Sequence, residues 1–424
     1  MFENIFHSTA STGLTAPLWR RCLLPEETIR EEHSTSDRGR ILILSPVPLG
    51  SGVGGVQMRA EGIAAALSAV ADTTVLHFDD AEHQTGGVPR PSNPSALERL
   101  LSPTPSLVRC FRSAEFARRV HELGRTSIAC FCLGLQMMQY ADALPPGIPV
   151  VLDNYNVESD ILERLAGQRS GLKRAYWHLQ AAKLRRFERW ALRRADCVIA
   201  ISNADKRRFR ELVPGVRAAT IAPGLHLDRY LACQTNDVVP GRIVFVGALD
   251  WYVNIDAISW FACEVFPRIR ERSSQASLAI IGRRPVAEVM MLAQQDAITL
   301  HADVPDVVPW LASATLTVVP LRYGSGVQTK VIEAMATAKP VVTTSVGAEG
   351  LDVQHGEHLL IADDAVGFAA ACVKVLGDAS YAVELGRNAR ERARHYSYPR
   401  LAQDVQRLVS ELREVSPCLP VNPL

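Results

Sequence analysis

Short, nearly continuous apolar runs recur along the chain from residue 40 and alternate with longer segments that mix apolar and polar residues. Runs such as RILILS at 40–45 and SIACFCL at 127–133 have the length and composition of strands buried on both faces. In the segments between them, apolar residues return every three or four positions, which is typical of amphipathic helices. Strands and helices in alternation predict parallel sheets covered by helices.

The first group of runs predicts one parallel-sheet domain. A strand at residue 40 is followed by a glycine-rich loop, an amphipathic helix and a second strand, and further buried runs lie at 127–133, 148–156, 197–202 and 217–223. We place this domain at 39–225. Residues 1–38 mix turn-forming and charged residues without a sustained period, so we predict a flexible N-terminal extension there.

The second group of runs predicts another domain of the same kind. Turn-forming residues cluster in CQTNDVVPG, and apolar runs follow at 242–249, 277–283, 297–304, 316–321, 340–345 and 358–363. We place this domain at 226–395, and a C-terminal helix and tail at 396–424. The predicted fold class is α/β, with two Rossmann-like parallel-sheet domains facing across a cleft. Ligands bind where the carboxyl ends of such sheets meet.

Composition narrows the class of protein and of partner. The chain has 424 residues, 47% hydrophobic and 21% charged, which is enough for two domains with substantial cores. Lysine and arginine number 46 against 45 aspartates and glutamates, so no overall positive field attracts nucleic acid. The nine cysteines form neither a CxxC pair nor a cluster with histidine, which predicts reduced thiols, no metal site and a cytoplasmic location. No apolar run reaches the roughly 18 to 20 residues that span a bilayer.

The glycine-rich loop after the first strand has three interpretations. GSGVGG at 50–55 satisfies the dinucleotide-binding pattern GxGxxG. That match is weak, because SPVPL separates the loop from the strand and the next acid, Asp79 or Asp80, lies nearer thirty residues on than twenty. The loop can instead bring backbone N–H groups to an anion at the start of a helix near Gln57. It can also be a merely flexible connection.

A second glycine loop carries a charged pair. In PLRYGSGVQTKVIEAMATAKPVV we predict a strand end, a loop and a helix over 327–338, with Lys330 and Glu333 on one helical face. An ATP-binding P-loop is excluded because Thr329 precedes the lysine and Val331 follows it. The Glu333 carboxylate can accept hydrogen bonds from ribose hydroxyls, and Lys330 can offset phosphate charge. The alternative is a surface ion pair worth about 0.2–0.5 kcal/mol.

These residues resemble a known signature. GSGVQTK, EAMA at 333–336, PVV at 340–342 and GAEG at 347–350 are similar to the nucleotide-binding region of retaining GT-B glycosyltransferases of the group 1 family, glycosyltransferase family 4. The resemblance extends to FVGALDWYVNIDAISWF with its W-x-x-N-x-D-A pattern, to IIGRRP and HADVPDVVPWLASATLTVVPLRYGSG, and to VLDNYNVES and ADCVIAISNADKRRF in the first domain. It covers residues 40 to about 395.

The resemblance implies a transferase whose second domain binds a nucleotide sugar, such as a UDP- or GDP-sugar, and whose first domain binds the acceptor. Transfer would retain the anomeric configuration, without a further cofactor. By the same resemblance, Glu333 would hold the ribose. Gly326 and Val327 would offer backbone N–H groups to the donor, and Gly54 and Gly55 would approach the diphosphate from the other domain. Apart from the resemblance, backbone groups at 302–304, including Val304, can read the base without a side-chain signature.

The chain departs from the family pattern at three points. The first glutamate of the family's E-x7-E, which contacts the donor sugar, falls on Ser325, and GALDWYVN lacks the usual Arg and Lys pair. We expect Arg322 and Lys330 to supply the missing cations, because a departing diphosphate needs positive partners. The family's acceptor-side histidine is absent from GLQMMQY. Asn156, at a strand end facing the cleft, is our substitute, with a buried turn residue as the alternative.

A basic segment lies in the first domain. Residues 169–194 carry many lysines and arginines, interleaved with aromatic residues, against the single acid Glu188. Such a helix suits peripheral contact with an anionic membrane, since each cation near the surface is worth about 1 kcal/mol. The alternative is a solvated helix whose aromatic residues belong to the core. RNA binding has no accompanying fold signature, so we expect no nucleic-acid partner.

The sequence therefore predicts a hexosyl- or related glycosyltransferase, cytoplasmic or peripheral at the inner face of the membrane. Its acceptor would be a glycan, a lipid-linked sugar or another glycoconjugate, in surface polysaccharide or lipopolysaccharide biosynthesis. Ser325 and the missing cations leave a second hypothesis open: a nucleotide-sugar-binding protein of this fold with degraded or partner-dependent activity. An NAD(P)-dependent oxidoreductase is a third, which depends on the loop at 50–55 alone.

Overall fold

The computed structural model describes residues 39–49, 55–79, 87–91, 93–167, 170–233, 238–323 and 327–415. The predicted N-terminal extension over 1–38 lies outside these residues. So do Gly54, Ser325 and Gly326, together with the end of the predicted C-terminal tail.

The described residues form two parallel sheets. The first contains seven strands in the order β3-β2-β1-β4-β5-β6-β7, and the second contains six in the order β10-β9-β8-β11-β12-β13. Every strand pair is parallel. The strands are β1 Arg40–Ser45, β2 Asp72–Asp79, β3 Val88–Pro89, β4 Ser127–Leu133, β5 Val150–Asn154, β6 Cys197–Ala200, β7 Ala218–Thr220, β8 Arg242–Val246, β9 Ser277–Gly282, β10 Ile298–Ala302, β11 Leu316–Val319, β12 Val341–Thr343 and β13 Leu360–Ile361.

Helices connect the strands and cover both faces of each sheet. They are α1 Gly55–Ser68, α2 Ala96–Leu101, α3 Ser106–Arg109, α4 Ala114–Gly124, α5 Glu158–Gly167, α6 Gly171–Arg194, α7 Asn203–Leu212, α8 Asp228–Leu231, α9 Tyr252–Trp260, α10 Phe266–Arg272, α11 Ala287–Leu292, α12 Val308–Ala312, α13 Thr329–Ala336, α14 Ala365–Gly377, α15 Ala379–Ala393 and α16 Tyr398–Val415. Short 3-10 helices lie at Leu135–Ala143 and Arg394–Tyr396, and a π turn at Phe261–Val265. The predicted fold class is confirmed.

Burial on both faces explains why the strands read as unbroken apolar runs. In β1, Leu42 and Leu44 pack into one core cluster of the first domain, and Ile41 and Ile43 pack into another on the opposite face. The second domain has one continuous core around its own sheet. A sheet covered by helices on both sides leaves no solvent face, so apolar residues occupy both side-chain directions.

The last helix returns to the first domain. The chain leaves the first sheet after β7 and enters the second domain near Leu225, whose side chain lies in the second core. It crosses back at Tyr396–Tyr398, and Leu401, Val405 and Leu408 of α16 then pack into the first-domain cluster that includes α1. The two crossings are hydrogen-bonded: Leu225 N donates to Tyr396 O over 2.8 Å, and Tyr398 N donates to Leu225 O over 2.9 Å.

Among the residues that the structure describes, no single helix is long and apolar enough to cross a membrane. One pair, Ala365–Gly377 with Ala379–Tyr396, meets the length and composition criteria together but is bent by 106°.

Candidate active site

The helix that follows the second glycine loop carries the predicted charged pair. The prediction placed this helix at 327–338, and the structure has it at Thr329–Ala336. Val331, Ile332 and Met335 are fully buried and fix its inner face. Lys330 and Glu333 lie on the other side and are half-buried. Burial lowers the pKa of Lys330 to about 8, an effect that the nearby Glu333 carboxylate partly offsets.

Lys330 reaches a residue far away in the sequence. Its Nζ donates to Oδ1 of Asn254, which is 5% exposed and belongs to the first turn of α9. The Asn254 side chain is itself fixed, because its Nδ2 donates to Ala248 O over 2.9 Å. The W-x-x-N-x-D-A segment and the helix of the glycine loop are thus joined by a neutral amide that orients the ammonium group.

Arg322 is paired with a second residue of the same segment. Its Nε donates to Asp256 Oδ2 over 2.9 Å and its Nη2 contacts Asp256 Oδ1. The guanidinium also lies 5.8 Å from the ring centroid of Trp260 and 5.7 Å from that of Tyr323. The sequence prediction treated Arg322 as a cation available to a diphosphate. The structure gives its charge a carboxylate partner, whereas Lys330 forms no ion pair within 4.0 Å among the described residues and has only the nearby Glu333 charge beside it.

Glu333 has partners in the connection between the domains. Its carboxyl group is hydrogen-bonded by the hydroxyl of Tyr230 on α8, and Arg229 is nearby. Burial raises the pKa of Glu333, while the Tyr230 hydrogen bond and the charges of Arg229 and Lys330 lower it. Arg229 Nη2 donates to the Tyr230 hydroxyl over 3.2 Å and its Nη1 lies 3.4 Å from Asp306 Oδ1.

Val304, predicted to lie beside the base, is half-buried and packs against the core of the second domain. The preceding Asp303 has φ 49°, and its N–H donates to Gly282 O over 2.9 Å. A Cβ on Gly282 would lie 1.8 Å from Gly247 O. Only glycine therefore allows the carboxyl ends of β8 and β9 to approach this closely beneath the loop.

The GAEG segment at 347–350 faces the first domain. Arg164 Nη2 and Glu349 Oε1 are 3.1 Å apart and link the two domains. Gly350 has φ 75°, and a Cβ there would lie 3.1 Å from Val327 Cγ2 and 3.8 Å from Ser202 Cβ. This glycine therefore lies close to both Val327, at the end of the glycine loop, and Ser202 of the first domain.

Asn156, the predicted acceptor-side residue, is half-buried after β5 and is hydrogen-bonded to the Glu158 carboxyl. Glu188 of the basic helix α6 is fully buried. It accepts from Glu158 N over 3.1 Å and from Ser159 Oγ over 2.6 Å. Burial, with repulsion from Glu188, raises the pKa of Glu158 to about 7. Burial also raises the pKa of Glu188 to about 7. Asn156 thus borders Glu158, which pairs with the buried Glu188 of α6, and the prediction did not connect these residues.

The described end of the first glycine loop is held by a buried ion pair. Gly55 is the first residue of α1, and Arg59 one turn later is 2% exposed. The Arg59 Nη2 lies 2.6 Å from Oδ1 of Asp153, which is fully buried at the end of β5, and its Nη1 donates to Ala222 O over 3.2 Å. This pair fixes the start of α1 against the first sheet. The predicted contacts of Gly54, Ser325 and Gly326 lie outside the described residues.

Sequence reasoning missed the partners of the predicted residues. Asn254, Asp256, Tyr230 and Asp153 each hold a predicted residue or the helix that presents it. Asn254 and Asp256 could have been singled out from the sequence, because they are the polar residues of the W-x-x-N-x-D-A pattern and lie within one helical turn of each other. Over the described ranges, no group of three or more histidine, cysteine, aspartate or glutamate residues is arranged to hold a metal ion.

Two family models match consecutive parts of the chain. "Glycosyltransferase Family 4" matches residues 53–229, and "Glycosyl transferases group 1" matches residues 240–378. The first match lies on the first sheet and the second match on the second sheet.

Solved structures share the whole fold. The sucrose-phosphate synthase of Thermosynechococcus elongatus is 19% identical, with a TM-score of 0.60 over 89% of this chain and 100% of that one. The HepE protein of Anabaena in complex with UDP is 15% identical, with a TM-score of 0.61 over 88% of this chain and 100% of that one.

Curated relatives match over shorter stretches. An uncharacterised 44.6 kDa protein in the cps region of Klebsiella pneumoniae is 28% identical over 183 residues, which cover 41% of this chain and 46% of that protein. A trehalose synthase of Rubrobacter xylanophilus is 39% identical over 93 residues, 22% of each chain. The chain thus spans less than half the length of the curated relatives it matches.

Proposed function

We propose a specific activity from the premise that this chain belongs to the group 1 glycosyltransferases: it moves a sugar, with retention of configuration, from a nucleotide sugar to a carbohydrate acceptor. The observation that carries the proposal is the placement of the half-buried Lys330 and Glu333 on the side of α13 away from its core face, at the carboxyl ends of the second sheet. A cation and a carboxylate one helical turn apart suit the diphosphate and the ribose of one nucleotide.

Donor binding follows from this placement. Glu333 accepts hydrogen bonds from the ribose hydroxyls, the Val327 N–H and the start of α1 at Gly55 face the diphosphate, and Val304 lies beside the base. HepE of Anabaena has been solved with UDP and with UDP-glucose, which supports a nucleotide sugar as the donor. No metal ion or other cofactor is part of the proposed mechanism.

The leaving diphosphate is stabilised mainly by Lys330. As the bond between the anomeric carbon and the phosphate oxygen breaks, negative charge grows on that oxygen, and a preoriented ammonium group lowers the barrier. The Asn254 amide directs the ammonium without neutralising it. A bound diphosphate raises the pKa of Lys330, because an opposite charge favours the protonated form.

The acceptor is proposed to be a glycan, a lipid-linked sugar or another glycoconjugate of surface polysaccharide biosynthesis. The relative in the Klebsiella pneumoniae cps region supports this pathway. So does the structural similarity to WaaG, a glycosyltransferase involved in lipopolysaccharide biosynthesis, with a TM-score of 0.58 and 15% identity. The acceptor would lie against the first domain, near Asn156.

We also propose that the enzyme works in the cytoplasm and contacts the inner face of the membrane through 169–194. Arg186, Arg189 and Arg193 are exposed on one stripe of α6, and no ion-pair partner for them lies among the described residues. Leu172 at the start of the helix is 90% exposed. Exposed basic residues, with an exposed apolar side chain at the start of the same helix, suit an anionic bilayer.

Vesicle flotation tests this contact. The protein should float with vesicles of anionic phospholipid at low salt and lose binding at high salt. The triple variant Arg186→Gln, Arg189→Gln, Arg193→Gln should stay in the pellet under both conditions. Equal behaviour of this variant and the wild type would assign membrane binding to another surface, or to none.

A panel of UDP- and GDP-sugars tests the activity. Release of the nucleoside diphosphate, with an α-anomeric product from an α-linked donor, is the expected result. Tight binding without release would favour the second candidate, a binding protein with degraded or partner-dependent activity, which is suggested by the Arg322–Asp256 pair and by Ser325. The oxidoreductase hypothesis has no support from the family matches, and binding of NAD(P) alone would be needed to revive it.

A further inference from the structure

We propose that Tyr230 is a positioning residue for the nucleotide: its hydroxyl holds the Glu333 carboxylate in the orientation that receives the ribose, so the connection between the domains takes part in donor recognition. This inference rests on the proposed function. It adds to that function a residue outside the glycine-loop helix, on the short helix Asp228–Leu231.

Tyr230 is well placed for this role because its ring is fixed. The residue is 5% exposed and packs in the core of the second domain, so its hydroxyl has little freedom to move. That hydroxyl is hydrogen-bonded to Glu333. It also accepts from Arg229 Nη2 over 3.2 Å. With Arg229 donating to this oxygen, the hydroxyl proton is left to be directed at the nearby carboxylate.

The chemistry of a phenol makes the contact directional. Burial, together with the Glu333 charge, raises the pKa of Tyr230 to about 12. The hydroxyl thus keeps its proton over the working pH range and can only donate to Glu333. A neutral donor occupies one carboxylate lone pair without cancelling the charge, and the remaining acceptor sites stay available to the vicinal hydroxyls of a ribose.

Orientation of the carboxylate has a predictable benefit. A free glutamate side chain loses rotamer freedom when it binds a ligand, and a glutamate already held by Tyr230 has lost that freedom on folding. Arg229 extends the same arrangement, since its Nη1 lies 3.4 Å from Asp306 Oδ1 in the segment that includes Val304. The helix Asp228–Leu231 therefore contacts both the proposed ribose side and the proposed base side of the site.

The test compares two probes on one variant. Isothermal titration calorimetry should measure the dissociation constants of UDP and 2′,3′-dideoxy-UDP, with the GDP pair as well, for the wild type and Tyr230→Phe. We expect Tyr230→Phe to weaken binding of the ribonucleotide roughly five- to tenfold, in line with the loss of one hydrogen bond to a charged group. Binding of the dideoxy probe should change less than twofold.

Two further variants separate positioning from a general structural effect. Tyr140→Phe is the matched control, because Tyr140 is likewise buried, at 3% exposure. Its hydroxyl is hydrogen-bonded to backbone groups of Phe111 and Ser113 in the first domain. This variant should leave both dissociation constants unchanged. In the Glu333→Gln background, Tyr230→Phe should have a clearly smaller effect, because the carboxylate that it positions is no longer there.

The outcomes distinguish this inference from the proposed function. If the wild type binds neither UDP nor GDP, the proposed function fails. If the wild type binds a ribonucleotide and Tyr230→Phe binds it equally well, or loses affinity for ribo- and dideoxy probes alike, the role of Tyr230 is overturned while the proposed function stands.

Discussion

At the scale of single residues, the site is organised by pairs that are distant in sequence. Lys330 is held by Asn254, and Arg322 by Asp256. The two cations were predicted together, yet their partners differ in charge. A neutral amide leaves the ammonium charge free to act on a ligand, whereas a carboxylate offsets the guanidinium. Lys330 is therefore the residue whose ionisation should control donor turnover.

The Lys330–Asn254 contact predicts a specific pH profile. Lys330 is active when protonated and its pKa is lowered to about 8, so kcat/KM for the donor should fall as pH rises through about 8. Asn254→Asp places a carboxylate beside the ammonium and should move this fall to higher pH by about one unit or more. The measurement is the rate of nucleoside diphosphate release between about pH 6 and 10.

Lys330→Ala is the control for that experiment. It should abolish the fall above pH 8 and lower turnover by about 10²-fold, the order of magnitude expected for one lost electrostatic contact to the leaving group. Identical profiles for Asn254→Asp and the wild type would show that another group titrates.

At the scale of elements, the start of α5 depends on an acid from a different helix. Glu188 is the single acid of α6, and it accepts from the backbone and hydroxyl groups of Glu158 and Ser159. A carboxylate at a helix N-terminus is stabilising. Here it is also fully buried and faces a second acid. Glu188 therefore connects the start of α5 to the basic helix α6, and its raised pKa means that its carboxyl group resists ionisation.

The Glu188 cap should make folding stability depend on pH. Its folded pKa, about 7, lies above the unfolded value, so the stability it contributes is complete below about pH 4.5 and is lost as pH rises through about 7. Glu188→Gln cannot ionise. Urea unfolding at pH 5.5 and 8.5 should therefore show the variant gaining stability relative to the wild type at the higher pH.

Glu384→Gln, at an exposed position of α15, is the matched control and should follow the wild-type curve at both pH values. A difference between wild type and Glu188→Gln that is the same at pH 5.5 and 8.5 would contradict a titrating cap.

The strands were predictable and the side-chain pairs were not. β4 has the bounds predicted for it, because SIACFCL is buried on both faces and pattern alone marks such a strand. The predicted run at 340–345 is shorter, Val341–Thr343, and beyond its end Ser345 N donates to the Asp363 side chain over 2.7 Å instead of to a neighbouring strand. Lys330 and Glu333 were found from a local motif. Asn254 and Tyr230 could not be assigned to them, because only tertiary folding brings these segments together.

At the scale of the whole molecule, the C-terminal helix belongs to the domain in which the chain began. Leu401 is 1% exposed and lies against Gly62 of α1, where a Cβ would come within 3.7 Å of its methyl groups. The Leu401 side chain also packs over Gly224, where a Cβ would be 2.8 Å from Leu401 Cδ1. The core of the first domain therefore includes α16, a helix that follows the second domain in the sequence.

Leu401→Ala should destabilise the first domain, although the residue follows the second domain in sequence. Removing a buried leucine leaves a cavity and costs about 2–5 kcal/mol. Hydrogen exchange during urea titration should show earlier opening of α1 and β1. Val383→Ala, at a position 73% exposed, should be almost neutral. Opening confined to the second domain in Leu401→Ala would contradict the assignment of α16.

The paired crossings at Leu225 and Tyr396–Tyr398 restrict how the domains can move. A single covalent connection would let the two sheets swivel in any direction. Two chain segments that lie side by side and share backbone hydrogen bonds act as a short two-stranded ribbon, and bending such a ribbon is easier across its face than along its edge. We therefore expect any widening and narrowing of the cleft to follow rotation about one axis, which would bring Glu349 and Arg164 back to the same contact each time the domains close.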